Sequence, residues 1–281
     1  MKNSKMTFLI SIIGISAMTL LGSCKRYVNG NGIEEQTSQN PYKVSGIVKN
    51  TQNQPIANAK VRVVNPILFD SSADVFTGSD GKYLTPKLDL GGWNIYAWTD
   101  IEYEGLTYHL RVAPEDGDYN SFSLHKEEKV KNFKLQLSGR INDVPLSENS
   151  PTAGYYGGTL MFTNLPQEGA NPMPLGTEVK IILSPVGGSK YIDGSTPQAV
   201  EKTFTIQQGQ TNYFVKDIPQ CKYGITAKVG NKMVLLTDYR DVWNNTPYKP
   251  FLIYFFKPEP QPGYNSGLKS NIETPFYMQL E

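Results

Sequence analysis

The sequence predicts an all-β protein made of two tandem β-sandwiches, preceded by a signal peptide and a flexible tether. From residue 42 onward, short runs of alternating apolar and polar residues are separated by clusters of Gly, Asn, Asp and Pro. No stretch keeps the i, i+3, i+4 apolar spacing of an amphipathic helix. The length of 281 residues is enough for two domains that each bury a core.

The amino terminus has the layout of a secretory signal. Lys2 and Lys5 precede an uncharged stretch from Phe8 to Leu21, which leads through small residues to Cys24. The stretch is shorter than the roughly 20 residues of a membrane-spanning helix. We therefore expect residues 1–23 to be removed.

The residues LLGSC, which end at Cys24, resemble the lipobox of bacterial lipoproteins. The resemblance implies that Cys24 becomes the first residue of the mature chain and carries the lipid, so that a membrane is a partner without being crossed. The alternative is an ordinary cleaved signal with an incidental cysteine. Residues 24–41 are polar and suit a flexible tether. Cys221 then has no partner, and we expect it to be a small core residue.

The charge balance excludes one class of partner. The chain has 27 basic and 26 acidic residues and a formal charge of +1. Such a chain has no basic field to attract nucleic acid, so no nucleic-acid partner is expected.

Three regions follow the tether in the predicted order. The first sandwich spans residues 42–138, a connector spans 139–154, and the second sandwich spans 155–281. In the first sandwich Val61 and Val63 alternate with Lys60 and Arg62, which gives that strand one core face. Turn residues such as Asp80-Gly81 separate the strands.

The first sandwich resembles a known family. The segments VSGIVKNTQNQPIANAKVRVV, FTGSDGKYL and LDLGGWNIYAWT are similar to the carboxypeptidase regulatory-like domain, which has a transthyretin-like fold. The resemblance covers residues 42–138, about a third of the chain. It implies a carbohydrate-binding-like β-sandwich in a lipoprotein of Bacteroides-type bacteria, anchored in the outer membrane. Lys25 and Arg26 leave its orientation, periplasmic or surface-facing, open.

The second half loosely repeats the first. Pro174–Ile181 parallels Pro55–Val63, and Phe204-Thr205 followed by Gly209 parallels Phe76-Thr77 followed by Gly81. Ile225 and Ala227 parallel Ile95 and Ala97. The pattern indicates a second transthyretin-like or immunoglobulin-like sandwich. The run FLIYFF, residues 251–256, is apolar on both parities, so we expect a strand covered on both faces.

The inventory of catalytic residues is poor, and we predict neither an enzyme nor a cofactor. His125 and Glu128 have the H-x-x-E spacing of metallocarboxypeptidases, but a zinc site needs a third ligand, and the only other histidine, His109, lies upstream in a predicted strand. No G-x-S-x-G elbow or phosphate-binding glycine motif occurs. Paired carboxylates such as Glu115 and Asp116 leave a hydrolase as a minor alternative.

One acidic loop has the spacing of a calcium site. Asp116, Asp118, Asn120 and Glu127 occupy positions 1, 3, 5 and 12 of an EF-hand-like loop. Ser121 stands where that loop has glycine, and the flanks are predicted strands. The alternative is a solvated polar loop.

Two sets of aromatic residues are candidate binding residues. If Trp93, Ile95 and Ala97 face the core, Tyr96 and Trp98 face outward, either to bind a sugar or protein or to be covered by the second domain or by the hairpin 103–108. Another set lies in a predicted loop: Tyr239, Trp243 and Tyr248.

These observations leave three hypotheses. The first is a non-catalytic, lipid-anchored envelope protein that acts as a binding or scaffolding module for another envelope protein. The second is a carbohydrate-binding lipoprotein of a glycan-uptake system. The third is a hydrolase.

Overall fold

The computed structural model describes residues 40–68, 70–124, 126–144, 154–165, 172–238, 247–258 and 276–281. All regular secondary structure in these ranges is β-strand, which confirms the predicted fold class. The predicted alternation is also present, because Val61 and Val63 are buried while Lys60 and Arg62 are only partly so.

The strands of the first half form one sheet. Its bounds are β1 Val44–Lys49, β2 Lys60–Val64, β3 Ser72–Phe76, β4 Lys82–Leu84, β5 Gly92–Tyr103, β6 Leu106–Pro114, β7 Phe122–Ser123, β8 Lys129–Val130 and β9 Phe133–Lys134. The order across the sheet is β3-β2-β5-β6-β9-β1-β4, with β7 beside β5 and β8 beside β1. The edge strands β3 and β4 approach each other, so the sheet wraps around its core.

The strands of the second half form a second sheet. Its bounds are β10 Gly158–Thr163, β11 Glu178–Pro185, β12 Val200–Thr205, β13 Asn212–Ile218, β14 Lys222–Val229, β15 Lys232–Asp238, β16 Leu252–Phe255 and β17 Phe276–Leu280. The order is β12-β11-β14-β15-β17-β10-β13, with β16 beside β14. Here too the edge strands β12 and β13 meet.

The two sheets have the same topology. If β10 to β15 are matched to β1 to β6 and β17 to β9, the two strand orders are identical. The match includes direction, since β9 runs parallel to β1 and β17 runs parallel to β10. We call strands β1–β9 the first repeat and strands β10–β17 the second repeat.

Individual residues of the predicted repeat occupy equivalent places. Ala97 of β5 pairs with Val61 of β2, and Ala227 of β14 pairs with Ile181 of β11. Gly81 and Gly209, each in the turn after the third strand of its repeat, have φ angles of 71° and 73°. Glycine adopts this left-handed conformation without strain, which explains why the sequence repeats it.

Each repeat has its own core. The first includes Val48, Val61, Trp93 and Val112, and the second includes Phe162, Ile181, Ile225 and Leu236. Cys221 is a buried member of the second core, as predicted.

The prediction for FLIYFF is wrong in part. Phe251 and Ile253 are exposed. The Phe251 ring lies over Gly224 of the neighbouring strand β14, where a side chain would collide with it. Phe251 thus packs on the sheet with one side of its ring and remains exposed on the other. A run that is apolar on both parities does not show whether its residues are buried or packed in this way.

Residues Thr37–Glu281 form one compact unit that contains both repeats. The predicted domain boundaries therefore stay predictions. Within the described part of the chain, no helix is of the length and apolar character needed to cross a membrane.

Candidate functional site

The two repeats are joined by a loop of the second repeat that enters the core of the first. This Ile192 loop, residues 186–199, connects β11 and β12. Ile192 is 4% exposed and packs in the first core cluster. The hydroxyl of Thr51 donates a hydrogen bond to Asp193 Oδ2 at 2.5 Å, and the hydroxyl of Tyr103 donates to the main-chain oxygen of Lys190 at 2.8 Å.

Other contacts extend this joint. The buried hydroxyl of Tyr108 donates a hydrogen bond to the main-chain oxygen of Phe256. The main-chain N–H of Gly139 donates to the Asp217 carboxylate at 2.8 Å, where β13 is about to end. The contacts of the joint therefore all lie at one end of each sheet.

The opposite end of the second repeat contains a pocket of about 360 Å³. Its walls come from the β10–β11 and β12–β13 loops. They are lined by Asn164, Pro172, Met173, Pro174, Leu175, Ile206, Gln207, Gly209, Gln210 and Thr211. We call this the distal pocket. Its volume is typical of ligand sites.

Each wall of the distal pocket is held by hydrogen bonds within its own loop. Asn164 accepts a hydrogen bond from Met173 N at 2.9 Å and donates one to Met173 O at 3.2 Å. The Tyr213 hydroxyl accepts from Gln207 N at 3.0 Å and donates to Gln210 O at 2.8 Å. The described residues of both loops are therefore held in place before a ligand arrives.

The chemistry of the lining selects among ligands. Among the described residues of the lining there is no Asp, Glu, Lys, Arg or His, whereas Met173, Ile206 and Leu175 are apolar. Burying a charged ligand group here would cost several kcal/mol without compensation. The pocket fits a neutral, apolar group with amide and hydroxyl groups at its rim.

The structure gives the predicted aromatic residues a different setting. Trp98 is 2% exposed, so it has no ring face to offer to a ligand. Tyr96 is half-buried, with its ring 6.0 Å from that of Trp98 and the Arg111 guanidinium 5.0 Å from its centroid. Burial raises the pKa of Tyr96. The interpretation of Trp98 as a binding residue is thereby corrected in favour of the structural alternative.

The cover over this outward face comes from the region between the repeats. Arg111 is buried and binds Asp143 at 2.5 Å. The Tyr119 and Tyr156 hydroxyls share a hydrogen bond of 2.9 Å, and Ile141 packs against Tyr156. The predicted alternatives for the cover were the second domain and the hairpin 103–108. Residues 141–143 of the predicted connector also contribute.

Of the remaining predicted aromatic residues, the structure describes only Tyr248. Tyr248 is half-buried just before β16, and burial raises its pKa. Tyr239, Trp243 and Cys24 lie outside the described residues.

The predicted calcium loop contains an ion-pair site. The ammonium of buried Lys131 lies 2.9 Å from Asp116 Oδ2 and 3.5 Å from Asp118 Oδ2. Asp118 Oδ1 already accepts hydrogen bonds from Asn120, and Glu127 is exposed on the loop before β8. No three His, Cys, Asp or Glu side chains among the described residues are grouped to hold a metal. Sequence spacing gave no sign that Lys131 supplies a positive charge here, and calcium binding by this loop stays a prediction.

The paired carboxylates of the hydrolase hypothesis are also bound to lysines. Glu115 lies 3.1 Å from Lys49, and Asp116 is held by Lys131. Burial opposes ionisation of Asp116, but the hydrogen bonds from Lys131 and from the Asp118 main chain, together with the positive charge of Lys131, outweigh it and lower the pKa. A general acid needs the opposite shift, so the geometry gives the hydrolase hypothesis no support.

No family model matches this sequence, and no curated protein matches it. The resemblance to the carboxypeptidase regulatory-like domain therefore stays a prediction. Among solved structures, a DUF3823 family protein from Bacteroides uniformis is 10% identical, with 77% of this chain and 99% of that chain covered and a TM-score of 0.24. A DUF3823 family protein from Parabacteroides merdae is 13% identical over 76% and 98%, with a TM-score of 0.24.

A candidate carbohydrate-binding protein from Bacteroides uniformis is 11% identical over 77% of this chain and 100% of that chain, with a TM-score of 0.23. TM-scores of this size do not establish a common fold. The architecture given above rests on the strand order and register alone.

The residues of the distal pocket were missed by the sequence reasoning. Met173, Ile206 and Gln207 belong to no motif, and main-chain hydrogen bonds bring their loops together. The internal repeat is the one sequence feature that could have pointed to these residues, because it implies that the loops of the second half correspond to loops of the first.

Proposed function

We propose that the protein is a non-catalytic, lipid-anchored envelope module that binds a neutral apolar group of a protein partner in the distal pocket. The observation that carries the proposal is the uncharged, preformed pocket at the end of the second repeat. Fixed loops lower the entropic cost of binding, and an apolar side chain would gain the burial that Met173 and Ile206 offer.

If Cys24 carries the lipid, the distal pocket lies far from the point where the chain is attached to the membrane. The described chain begins at Asn40, beside the start of β1, at the end of the first repeat opposite the joint. With Cys24 acylated, residues 24–41 would link this end to the outer membrane. The second repeat and its pocket would then be the part that extends beyond the anchored repeat.

A glycan partner is the less favoured candidate. Sugar sites commonly offer flat aromatic faces, but the pocket is lined by aliphatic residues, Met173 and amides. Titration with a panel of neutral oligosaccharides tests this alternative. Chemical shifts at Met173 and Ile206 that saturate would favour it over a protein partner.

The proposal can be tested by photocrosslinking in cells. A photoreactive residue at Gln207, on the pocket rim, should give a discrete protein adduct that Leu175→Asp abolishes. The matched control is the same group at exposed Lys202 on β12. No adduct, or the same adduct from both positions, would contradict the proposal. Loss of envelope attachment in Cys24→Ser tests the anchor separately.

A further inference from the structure

Each repeat contributes one surface to the joint. The equivalent surface of the other repeat lies at the end that faces away from the joint. In the joint, the loop between the second and third strands of one repeat enters the other repeat. The equivalent loop of the first repeat, residues 65–71, connects β2 and β3. We call it the Ile67 loop.

The Ile67 loop presents apolar side chains to solvent. Ile67 is 83% exposed and Leu68 is 53% exposed. Nearby Leu90, on the β4–β5 loop, is also exposed, and Gly91 lies against Asn65. Exposed apolar surface that forms a contiguous patch often marks an interaction site.

Hydrogen bonds hold the described residues of the Ile67 loop, 65–68 and 70–71. Buried Asn65 accepts from Ile67 N at 3.0 Å and from Leu68 N at 3.1 Å, and Asn65 N donates to Ser71 O at 2.8 Å. These residues are therefore shaped before they meet a partner, as binding loops on a rigid scaffold are.

The Ile192 loop shows how such a loop binds within the molecule. In the joint, Ile192 is buried in the first repeat and Asp193 is held by Thr51.

The distal pocket corresponds to the surface that receives the Ile192 loop. Thr51 lies in the β1–β2 loop of the first repeat. The equivalent β10–β11 loop of the second repeat contributes Asn164 and residues 172–175 to the pocket. The first repeat thus carries a shorter loop at the place in the strand order that the donor loop has in the second repeat, and the second repeat carries a pocket at the place of the acceptor surface.

We propose that the partner of the distal pocket is a second copy of this chain, whose Ile67 loop inserts as the Ile192 loop does within the molecule. This inference rests on the proposed binding role of the pocket. The contact is heterologous, so repeated use of it gives a head-to-tail row of molecules rather than a closed symmetric dimer.

Charge and membrane attachment are compatible with this contact. The Ile67 loop carries one charged residue, Asp70, and the described lining of the pocket carries none, so no like charges meet among these residues. The predicted tether of residues 24–41 could extend about 60 Å. Anchored molecules could then lie along the membrane, where a shared surface raises their effective concentration.

The test is analytical ultracentrifugation of the chain from Cys24 to Glu281 with Cys24→Ser, so that no lipid is attached. One variant, Ile67→Asp, removes the donor loop, and another, Leu175→Asp, removes the acceptor pocket. Both residues are exposed, so both variants should fold, with unchanged circular dichroism. Because the interface is small, we use protein concentrations of about 0.1–1 mM.

The head-to-tail contact predicts a distinctive mixing result. The unsubstituted chain should grow with concentration beyond the dimer, and each variant alone should stay monomeric. An equal mixture of the two should form dimers and nothing larger, because only one intact loop and one intact pocket remain for each pair.

Three results would overturn the inference. These are a monomeric unsubstituted chain, variants that are not rescued by mixing, and Ile67-dependent binding to phosphatidylcholine vesicles by a chain that stays monomeric. The crosslink from Gln207 separates this inference from the proposed function. An adduct of twice the chain mass supports both, whereas an adduct with a different protein supports the proposed function and contradicts self-association.

Discussion

The hydroxyl of Thr51, in the loop after the first strand, donates a 2.5 Å hydrogen bond to the carboxylate of Asp193 in the second repeat. The two residues are 142 positions apart in sequence. Asp193 also accepts hydrogen bonds from Ser195, which hold its loop in shape. The contact therefore couples the conformation of one repeat to the other.

The Asp193 contact makes the stability of the joint depend on pH. Burial opposes ionisation of Asp193, but the hydrogen bonds from Ser195 and Thr51 outweigh it and hold the pKa below its ordinary 3.8. A lowered pKa stabilises the folded state above the ordinary value, and this contribution is lost as the pH falls through the folded-state pKa. The free energy of unfolding of the unsubstituted chain should therefore exceed that of Asp193→Asn at about pH 6 and approach it at about pH 3. A difference that is independent of pH would contradict this assignment.

Replacing Ile192 should destabilise the first repeat, although the residue belongs to the second. Ile192→Ala leaves a cavity in the first core and should cost about 2–5 kcal/mol of unfolding free energy. Hydrogen exchange should accelerate at core positions of the first repeat such as Val48 and Val61. The control is Ile253→Ala at an exposed position, with an effect within about 0.5 kcal/mol. Faster exchange confined to the second repeat would be inconsistent with the joint.

The close approach of β1 to residue 131 predicts a severe effect at one glycine. A Cβ at Gly46 would overlap the main-chain oxygen of Lys131, so either the strand or the residue-131 segment must move. We expect Gly46→Ala to cost more than about 2 kcal/mol in chemical denaturation. Gly187→Ala is the matched control, because nothing lies within 4 Å of its Cβ position. Equal effects of the two substitutions would argue against the packing described here.

The ion pairs of the predicted calcium loop give a further prediction. Because Lys131 neutralises Asp116 and Asp118, the melting temperature should be the same in calcium and in chelator. Removing both carboxylates with Asp116→Asn and Asp118→Asn should cost about 1–3 kcal/mol, because the buried ammonium then lacks its anions. Lys131→Met should cost less. A calcium-dependent rise in melting temperature that Asp118→Asn abolishes would contradict this expectation and support calcium binding by the loop.

The sequence predicted the strands well because their pattern is local. Val61 and Val63 alternate with charged neighbours, and parity alone assigns them to the core. The alternation also assigned Trp98 to the outward face of the sheet. It could not show which residues cover that face, because this depends on contacts such as that between Arg111 and Asp143. Contacts at such sequence separations depend on topology.

The candidate site was harder to predict for the same reason. The distal pocket consists of two loops held by main-chain groups and by Asn164 and Tyr213, and these leave no residue pattern. Likewise, the acidic loop had the spacing of a calcium site, while the cation came from Lys131, outside the predicted set. The repeat between Gly81 and Gly209 was visible, and extending it to the loops would have related the pocket to the joint.

The account depends on the two repeats forming one body through the Ile192 loop. The most direct measurement is the electron–electron distance between spin labels at Lys82→Cys on β4 and Lys202→Cys on β12, with Cys24→Ser and with buried Cys221 left in place. Dilution with unlabelled chain removes distances between molecules. We predict a single narrow distance distribution that broadens in Ile192→Ala. A broad distribution in the parent chain, unchanged by Ile192→Ala, would contradict the account.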